Sequence, residues 1–216
     1  MVRKRQFLFA VGTLLTVWVL ADLYRPVKSD FQAFNPAEVG RLETDMWRSY
    51  YEKRPVRLFF QLAQLVRSEF QAPFWRSYRI AFSAAKAAFL FKEGKNRTDY
   101  AQALPDLERF YGLLSDLSGT GFNAKLVAQQ ELEWWIIRRE RTRYAPAAWE
   151  RILAREAAEI HRLPAERFTR HAHLRVRAML LRDAWGGTVT DANWQQINAL
   201  LQESWTELQR AAKGKV

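Results

Sequence analysis

A chain of 216 residues with 49% hydrophobic side chains is long enough to bury one sizeable core or two small ones, which excludes a wholly disordered protein. Nine Gly and seven Pro are too few for a turn-rich β-sandwich, while nine Trp and fourteen Phe supply the large apolar groups that dominate core burial. The lack of cysteine excludes disulfides, thiolate catalysis and Cys-ligated zinc or iron–sulfur centres, and a net charge of +11 favours acidic partners such as anionic lipid headgroups.

The first predicted element comes from charge and hydropathy. Arg3, Lys4 and Arg5 precede an uncharged run from Phe7 to Ala21, FLFAVGTLLTVWVLA. Carried on through Asp22 to Leu23 it makes 17 residues, about 25 Å of helix, the short end of what spans a bilayer. Residues 1–24 therefore read as an uncleaved signal anchor, with Trp18 and Tyr24 suited to the far interface. Two alternatives stand beside this: a signal peptide cleaved after Ala21, since Val19-Leu20-Ala21 precedes Asp22, and an apolar helix buried in a partner or in the body. More positive charge precedes the run than succeeds it at Arg25 and Lys28, so the positive-inside bias keeps the N-terminus cytoplasmic and the body outside. The expected location is the bacterial inner membrane in a single pass, or the periplasm if Ala21 is a cleavage site. Residues 25–33, with Pro26, mixed charge and no sustained period, read as a linker.

Beyond residue 33 the chain reads as one unit written twice, at 34–118 and 119–216. Phe34 to Lys53 aligns without a gap on Phe122 to Arg141, with identities at Phe34/Phe122, Asn35/Asn123, Val39/Val127, Glu43/Glu131, Trp47/Trp135 and Glu52/Glu140, and conservative pairs at Asp45/Glu133 and Lys53/Arg141. Weaker correspondence pairs Pro73 with Pro164, Ala88–Glu93 with Ala178–Asp183, and Tyr100, Leu107, Tyr111 and Leu114 with Trp194, Leu201, Trp205 and Leu208. Apolar residues recur at three and four, so every segment is predicted helical. The first unit gives helices over 36–53, 56–70, 73–93 and 98–117, broken at Pro55, Pro73 and the Gly94/Asn96 region. The second gives 123–143, 146–162, 164–185 and 191–212, with Gly119 to Gly121 as the seam. Asn35, Asn123 and Asp191 are predicted N-caps, and Gly186-Gly187 a stop. The fold class is all-α: a membrane helix followed by a bundle of two pseudo-symmetric four-helix units. The repeat is far longer than the roughly 34–47 residues of TPR or HEAT solenoids.

Four acids fall on faces that the helical period makes apolar. Glu43 lies in one arc with Val39, Met46, Trp47 and Tyr50; Glu131 with Val127, Trp134 and Trp135; Glu93 with Trp75, Phe82 and Phe89; and Asp183 with Phe168, Ala172 and Met179. Four inward carboxylates are the skeleton of a di-iron or di-manganese bundle, but such sites add a Glu-x-x-His from each of two helices and no such motif exists here. Glu43, Glu131, Glu93 and Asp183 are thus the only metal candidates, and no cofactor is expected. The reading set against the metal pairs Glu43 and Glu131 with basic residues such as Lys86 or Arg175, or with Trp N–H groups, because an unpaired buried charge is costly. For Glu93 and Asp183, at helix ends, solvent exposure is expected. Dense Trp and Tyr at helical spacing read as core before they read as a pigment or quinone pocket.

No GxSxG, Walker loop, HExxH or GxGxxG occurs, so catalytic residues and substrate stay unassigned and the chain is not read as an enzyme. Basic residues alternate with acids, as in ELEWWIIRRERTR from Glu131 to Arg143, which disfavours a nucleic-acid partner. The expected function is a membrane-anchored interaction or scaffold subunit, meeting an anionic membrane surface and a membrane-protein partner. The alternative is a carboxylate-ligated metalloprotein with oxidoreductase-like activity in the same bundle.

Overall fold

The computed structural model describes residues 2–187 and 189–214. Met1 of the expected anchor, Thr188, and the final two residues of the expected second unit lie outside the described residues, as does the side chain of Arg3 from the basic cluster. Among the described residues the protein is all-helical, 80% helix with no strand. We number nine helices: α1 Val2–Tyr24, α2 Pro36–Tyr51, α3 Pro55–Phe70, α4 Phe74–Glu93, α5 Leu104–Leu117, α6 Ala124–Arg139, α7 Pro146–His161, α8 Thr169–Ala184 and α9 Asp191–Lys213. Short turns at Arg97–Tyr100, Ala101–Ala103 and Ala165–Phe168 lead into α5 and α8.

The breaks have local chemical causes. Asn35 accepts from the N–H groups of Ala37 and Glu38 and so caps α2, and Asn123 accepts from Leu126 N and caps α6. Pro55 and Pro146 occupy the first turn of α3 and α7, where the missing N–H costs nothing. At α9 the cap is Thr190 and not Asp191: Thr190 and Asn193 bond each other reciprocally across side chain and backbone, leaving Asp191 as the first helical residue. Gly186, at φ +57°, ends the run after α8, since a left-handed residue there has no Cβ to clash.

Helices α2 to α9 form a closed ring: each packs on the next along the chain, and α9 returns to pack on α2. Gly40 lets α2 and α9 approach closely, since a Cβ there would meet the backbone of Gln202 at 2.7 Å. One core cluster joins α3, α4, α5 and α6 around Ile80, Leu107, Leu114 and Val127, and a second joins α2, α7, α8 and α9 around Val39, Leu42, Trp149 and Phe168.

Helix α1 stands apart. It is long and apolar enough to cross a membrane, and its apolar window is wholly unburied. Its Thr13 and Thr16 hydroxyls donate to the carbonyls of Phe9 and Gly12, so neither side chain brings an unpartnered polar group into the run. It meets the body only through its C-terminal end. Asp22 Oδ1 accepts from Trp75 N and Arg76 N, capping α4, while Trp18 packs on the rings of Phe74 and Trp75 at 6.1 and 5.6 Å.

The segment expected as a linker is a packed strap. Ser29 N donates to Leu117 O and Gly119 N to Ser29 O, the Gln71 and Gln209 amides bond the carbonyls of Ala33 and Gln32, and Phe31 and Phe34 are buried. It lacks a period because its hydrogen bonds go to other elements, so no helical face had to be written into it.

Candidate functional site

Seven of the eight ring helices send a polar or aromatic side chain to one central place. Glu43 comes from α2, Glu69 from α3, Tyr111 from α5, Glu131 from α6, Glu156 from α7, Arg175 from α8 and Trp205 from α9. Arg175 is the hub. Its Nη2 lies 2.7 Å from Glu43 Oε1, while Trp205 Nε1 donates to Glu43 Oε2 at 2.7 Å. Glu43 is 1% exposed, so both partners are obligatory: a buried carboxylate without them would lose its hydration for nothing. The ion pair is short but not aligned as a hydrogen bond, leaving Oε1 held by charge and Oε2 by the indole.

Glu69, Glu156 and Arg175 are half-buried and line a small cavity of about 50 Å³ with His161, His171 and the strap residues Phe31 and Phe34. Burial pushes the Glu69 carboxyl up to about 8, with Arg175 opposing and the charges of Glu43 and Glu131 adding to it. Glu156 is raised well above the carboxylate range by burial first and by neighbouring Glu131 second, and the Tyr111 hydroxyl donates to its Oε1 at 2.9 Å. Burial and the same two acids raise Tyr111 as well. Burial opposes the charge of Arg175, yet Glu43, Glu156, Glu131 and Glu69 together hold its pKa above the ordinary value. The histidines are kept neutral: burial and then Arg175 lower His171 to about 3, while burial lowers His161 to about 4 against the pull of Asp30. His171 Nδ1 lies 2.9 Å from Ser204 Oγ.

The chemistry of this centre is proton holding. One guanidinium faces four carboxyl groups, and the excess negative charge is reduced by the raised proton affinity of Glu69, at about 8, and of Glu156. The cavity has room for a few waters and none for an organic substrate, which takes several hundred Å³.

The four acids singled out in the sequence are not brought together. Glu43 and Glu131 both border the centre, and the expected partners Arg175 and a Trp N–H are found at Glu43; Glu131 accepts from Trp135 Nε1 of its own helix at 2.7 Å. Lys86 pairs instead with Asp106. Glu93 is exposed at the end of α4, and Phe82 and Phe89, placed with it on an inward face, point outward at 62% and 63% exposure. The reason is packing distance: along most of its length the buried side of α4 carries Ser77, Ile80, Ala81, Ser83 and Ala87, mostly small residues that allow close helix contact, with Phe91 entering the core only near the end, and Phe82 and Phe89 fall on the other side. Asp183 is half-buried rather than free, paired with Arg138 at 2.6 Å. Tyr50 is exposed, and Trp47 and Trp135 are half-buried. Among the described residues no three His, Asp or Glu side chains converge as metal ligands do.

A second concavity of about 500 Å³ opens at the far end of α4, about 30 Å along the helix from the α1 junction. Lys95, Arg97, Arg139 and Arg143 line it with Tyr100 and Glu140. Arg97 is bidentate to Glu133 and reaches the Tyr144 hydroxyl, while Arg139 bonds the carbonyls of Phe91 and Gly94 under a cation–π contact with Phe91. Compared with protein-family models, with curated proteins and with solved structures, the chain matches none.

Proposed function

We propose that this protein is a scaffold subunit held at the bacterial inner membrane by α1, with its helical ring outside the cytoplasm presenting a basic cleft to an acidic surface of a membrane-protein partner. One observation carries the reading: an apolar helix long enough to span a bilayer is wholly exposed and fixed to the body only by its last turns, through Asp22 and Trp18. A soluble protein would bury such a helix in its core or, as a signal peptide, lose it after Ala21. The ring itself supports a structural role, since the Glu43–Arg175 pair ties α2 to α8 at its centre and the cavity beside it is too small for a substrate. The cleft of about 500 Å³ lined by Lys95, Arg97 and Arg143 matches the sign of the net charge.

The ring also supports an origin by duplication of residues 34–118 into 119–216. Asn35 and Asn123 cap equivalent helices, Val39 and Val127 are equally buried, α9 packs on α2 as α5 packs on α6, and Trp205 and Tyr111 each donate to a carboxylate at the centre. The test of the function is fractionation with crosslinking in cells. The protein should stay in membranes washed with alkaline carbonate, and a photocrosslinking residue at Lys95 or Arg143 should give one discrete membrane-protein adduct that the same probe at Arg177 does not. Release by carbonate, or a mature N-terminus at Asp22, contradicts the anchor; equal labelling from all three positions contradicts the cleft.

A further inference from the structure

We infer that the outer face of α3 and α4 is a lipid-docking platform, laid in the headgroup layer of the bilayer that α1 enters; this rests on the anchor reading above. The face begins at the anchor itself, where Trp18 of α1 packs on Phe74, the first residue of α4. From there Phe74, Tyr78, Phe82, Ala85 and Phe89 recur at three- and four-residue steps along one side of α4, a stripe of about 22 Å at 1.5 Å per residue. Helix α3 widens it: Phe60 and Val56 are 54% and 70% exposed, and Phe59 and Phe60 both pack against Tyr78. Among the described residues nothing covers the outer faces of Phe60, Phe82 and Phe89. Single exposed apolar residues are ordinary, but a contiguous aromatic strip joined to a bilayer-length helix is a partnered surface.

The charges around the strip identify the partner. Arg57, Arg79, Lys92 and Lys53 border it, and Arg67 lies over Phe74 and Tyr78 at 5.0 and 5.6 Å. The acids beside it are Glu52, which Arg48 and Arg54 already engage, and Glu93. Aromatic rings flanked by lysine and arginine are the composition of a surface that lies at an anionic lipid interface, with rings at headgroup depth and cations on the phosphates. A protein partner of a strip this apolar has no need of an almost purely basic border. Because Trp18 is the contact between span and strip, the depth at which the span leaves the hydrocarbon is the depth at which the platform begins.

The chain has no cysteine, so single spin labels can be placed without removing any native thiol. Full-length protein carrying a nitroxide at Phe82→Cys, Phe89→Cys, Thr13→Cys or Arg177→Cys is reconstituted into vesicles of phosphatidylcholine with or without phosphatidylglycerol, and collision with oxygen and with a water-soluble nickel chelate is measured. With phosphatidylglycerol, labels at 82 and 89 should be severalfold less accessible to nickel than the label at 177 and more accessible to oxygen, and the protection should weaken in phosphatidylcholine alone. Nickel access at 82 and 89 equal to that at 177 overturns the platform, as does loss of access to both reagents, which marks a protein contact. Protection indifferent to phosphatidylglycerol overturns the basic border. The label at Thr13 separates the two readings: lipid-exposed there with water-exposed 82 and 89 fails the platform alone, whereas a water-exposed Thr13 fails the anchor.

Discussion

Replacing Glu43 by Gln removes one charge from the centre of the ring and almost nothing else. The amide is nearly isosteric and keeps an oxygen that can still accept from Trp205 Nε1, so the loss is that of the 2.7 Å charge contact to Arg175. Breaking a buried pair by deleting one partner costs about 3–5 kcal/mol, because the other charge stays buried and uncompensated. Arg175 retains 24% of its side-chain surface and has Glu69, Glu131 and Glu156 in its field, so the low end, about 3 kcal/mol, applies. For a chain of this length that is a fall of about 6–12 °C in Tm. Thermal unfolding of the full chain in mild detergent, followed by near-ultraviolet circular dichroism, measures it. Adding Arg175→Met should then recover much of the loss, since an apolar residue of similar length leaves no orphan charge. A Glu43→Gln variant within about 2 °C of the parent would refute the account of the hub, and so would a double variant less stable than the single one.

Glu69 has a folded-state pKa of about 8 against 4.5 unfolded, so its contribution is complete below pH 4.5 and is lost as pH rises through 8; Glu69→Gln should flatten the decline of stability across that window, and an unchanged slope would exclude Glu69 as its source. Asp22→Ala removes the cap of α4 and one of the ties between α1 and the body, and should lower Tm by the equivalent of about 1 kcal/mol while speeding trypsin cleavage at Lys28; unchanged cleavage would show that Trp18 and the Arg76 bonds to the Asp22 and Arg25 carbonyls hold the junction without the cap. Gly40→Ala should cost about 1–3 kcal/mol because its methyl meets the Gln202 backbone at 2.7 Å. Gly112→Ala, in the same fold but with nothing within 4 Å, should instead stabilise α5 by about 0.5–1 kcal/mol; opposite signs in one urea-unfolding series are the expected result, and equal signs would contradict the packing.

The helices were legible because their punctuation is local: Asn35, Pro55, Pro73, Asn123, Pro146 and the Gly186 region each act within a turn of where they stand. The face that each helix buries was legible where large and small residues agree, as around Val39 and Glu43, and was lost on α4, where Ala81 and Ala87 won the interior over Phe82 and Phe89. Helical period gives the direction of the apolar moment and not the distance to the neighbouring helix, and that distance decided α4. The centre was half legible. Glu43 stood out as a lone acid in an apolar arc, and Arg175 was nameable as a partner. Glu69 and Glu156 were not, because each has polar neighbours in sequence, Arg67 and Ser68 before the one and Arg155 and Glu159 beside the other, that read as a solvated face. Only closure of the ring, α9 on α2, brings those two acids to a common axis, and closure is a property of all eight helices together.

Of all these expectations, the side of the membrane on which the ring lies bears most directly on the account. Paired fusions after Val216, one to a reporter active only outside the cytoplasm and one to a reporter active only within it, measure it in living bacteria. The basic cluster ahead of the apolar run of α1 predicts strong activity from the outside reporter and none from the cytoplasmic one, with the fusion retained in the membrane fraction. Robust cytoplasmic activity, or outside activity from a fusion recovered free of membranes, contradicts a ring anchored outside by α1.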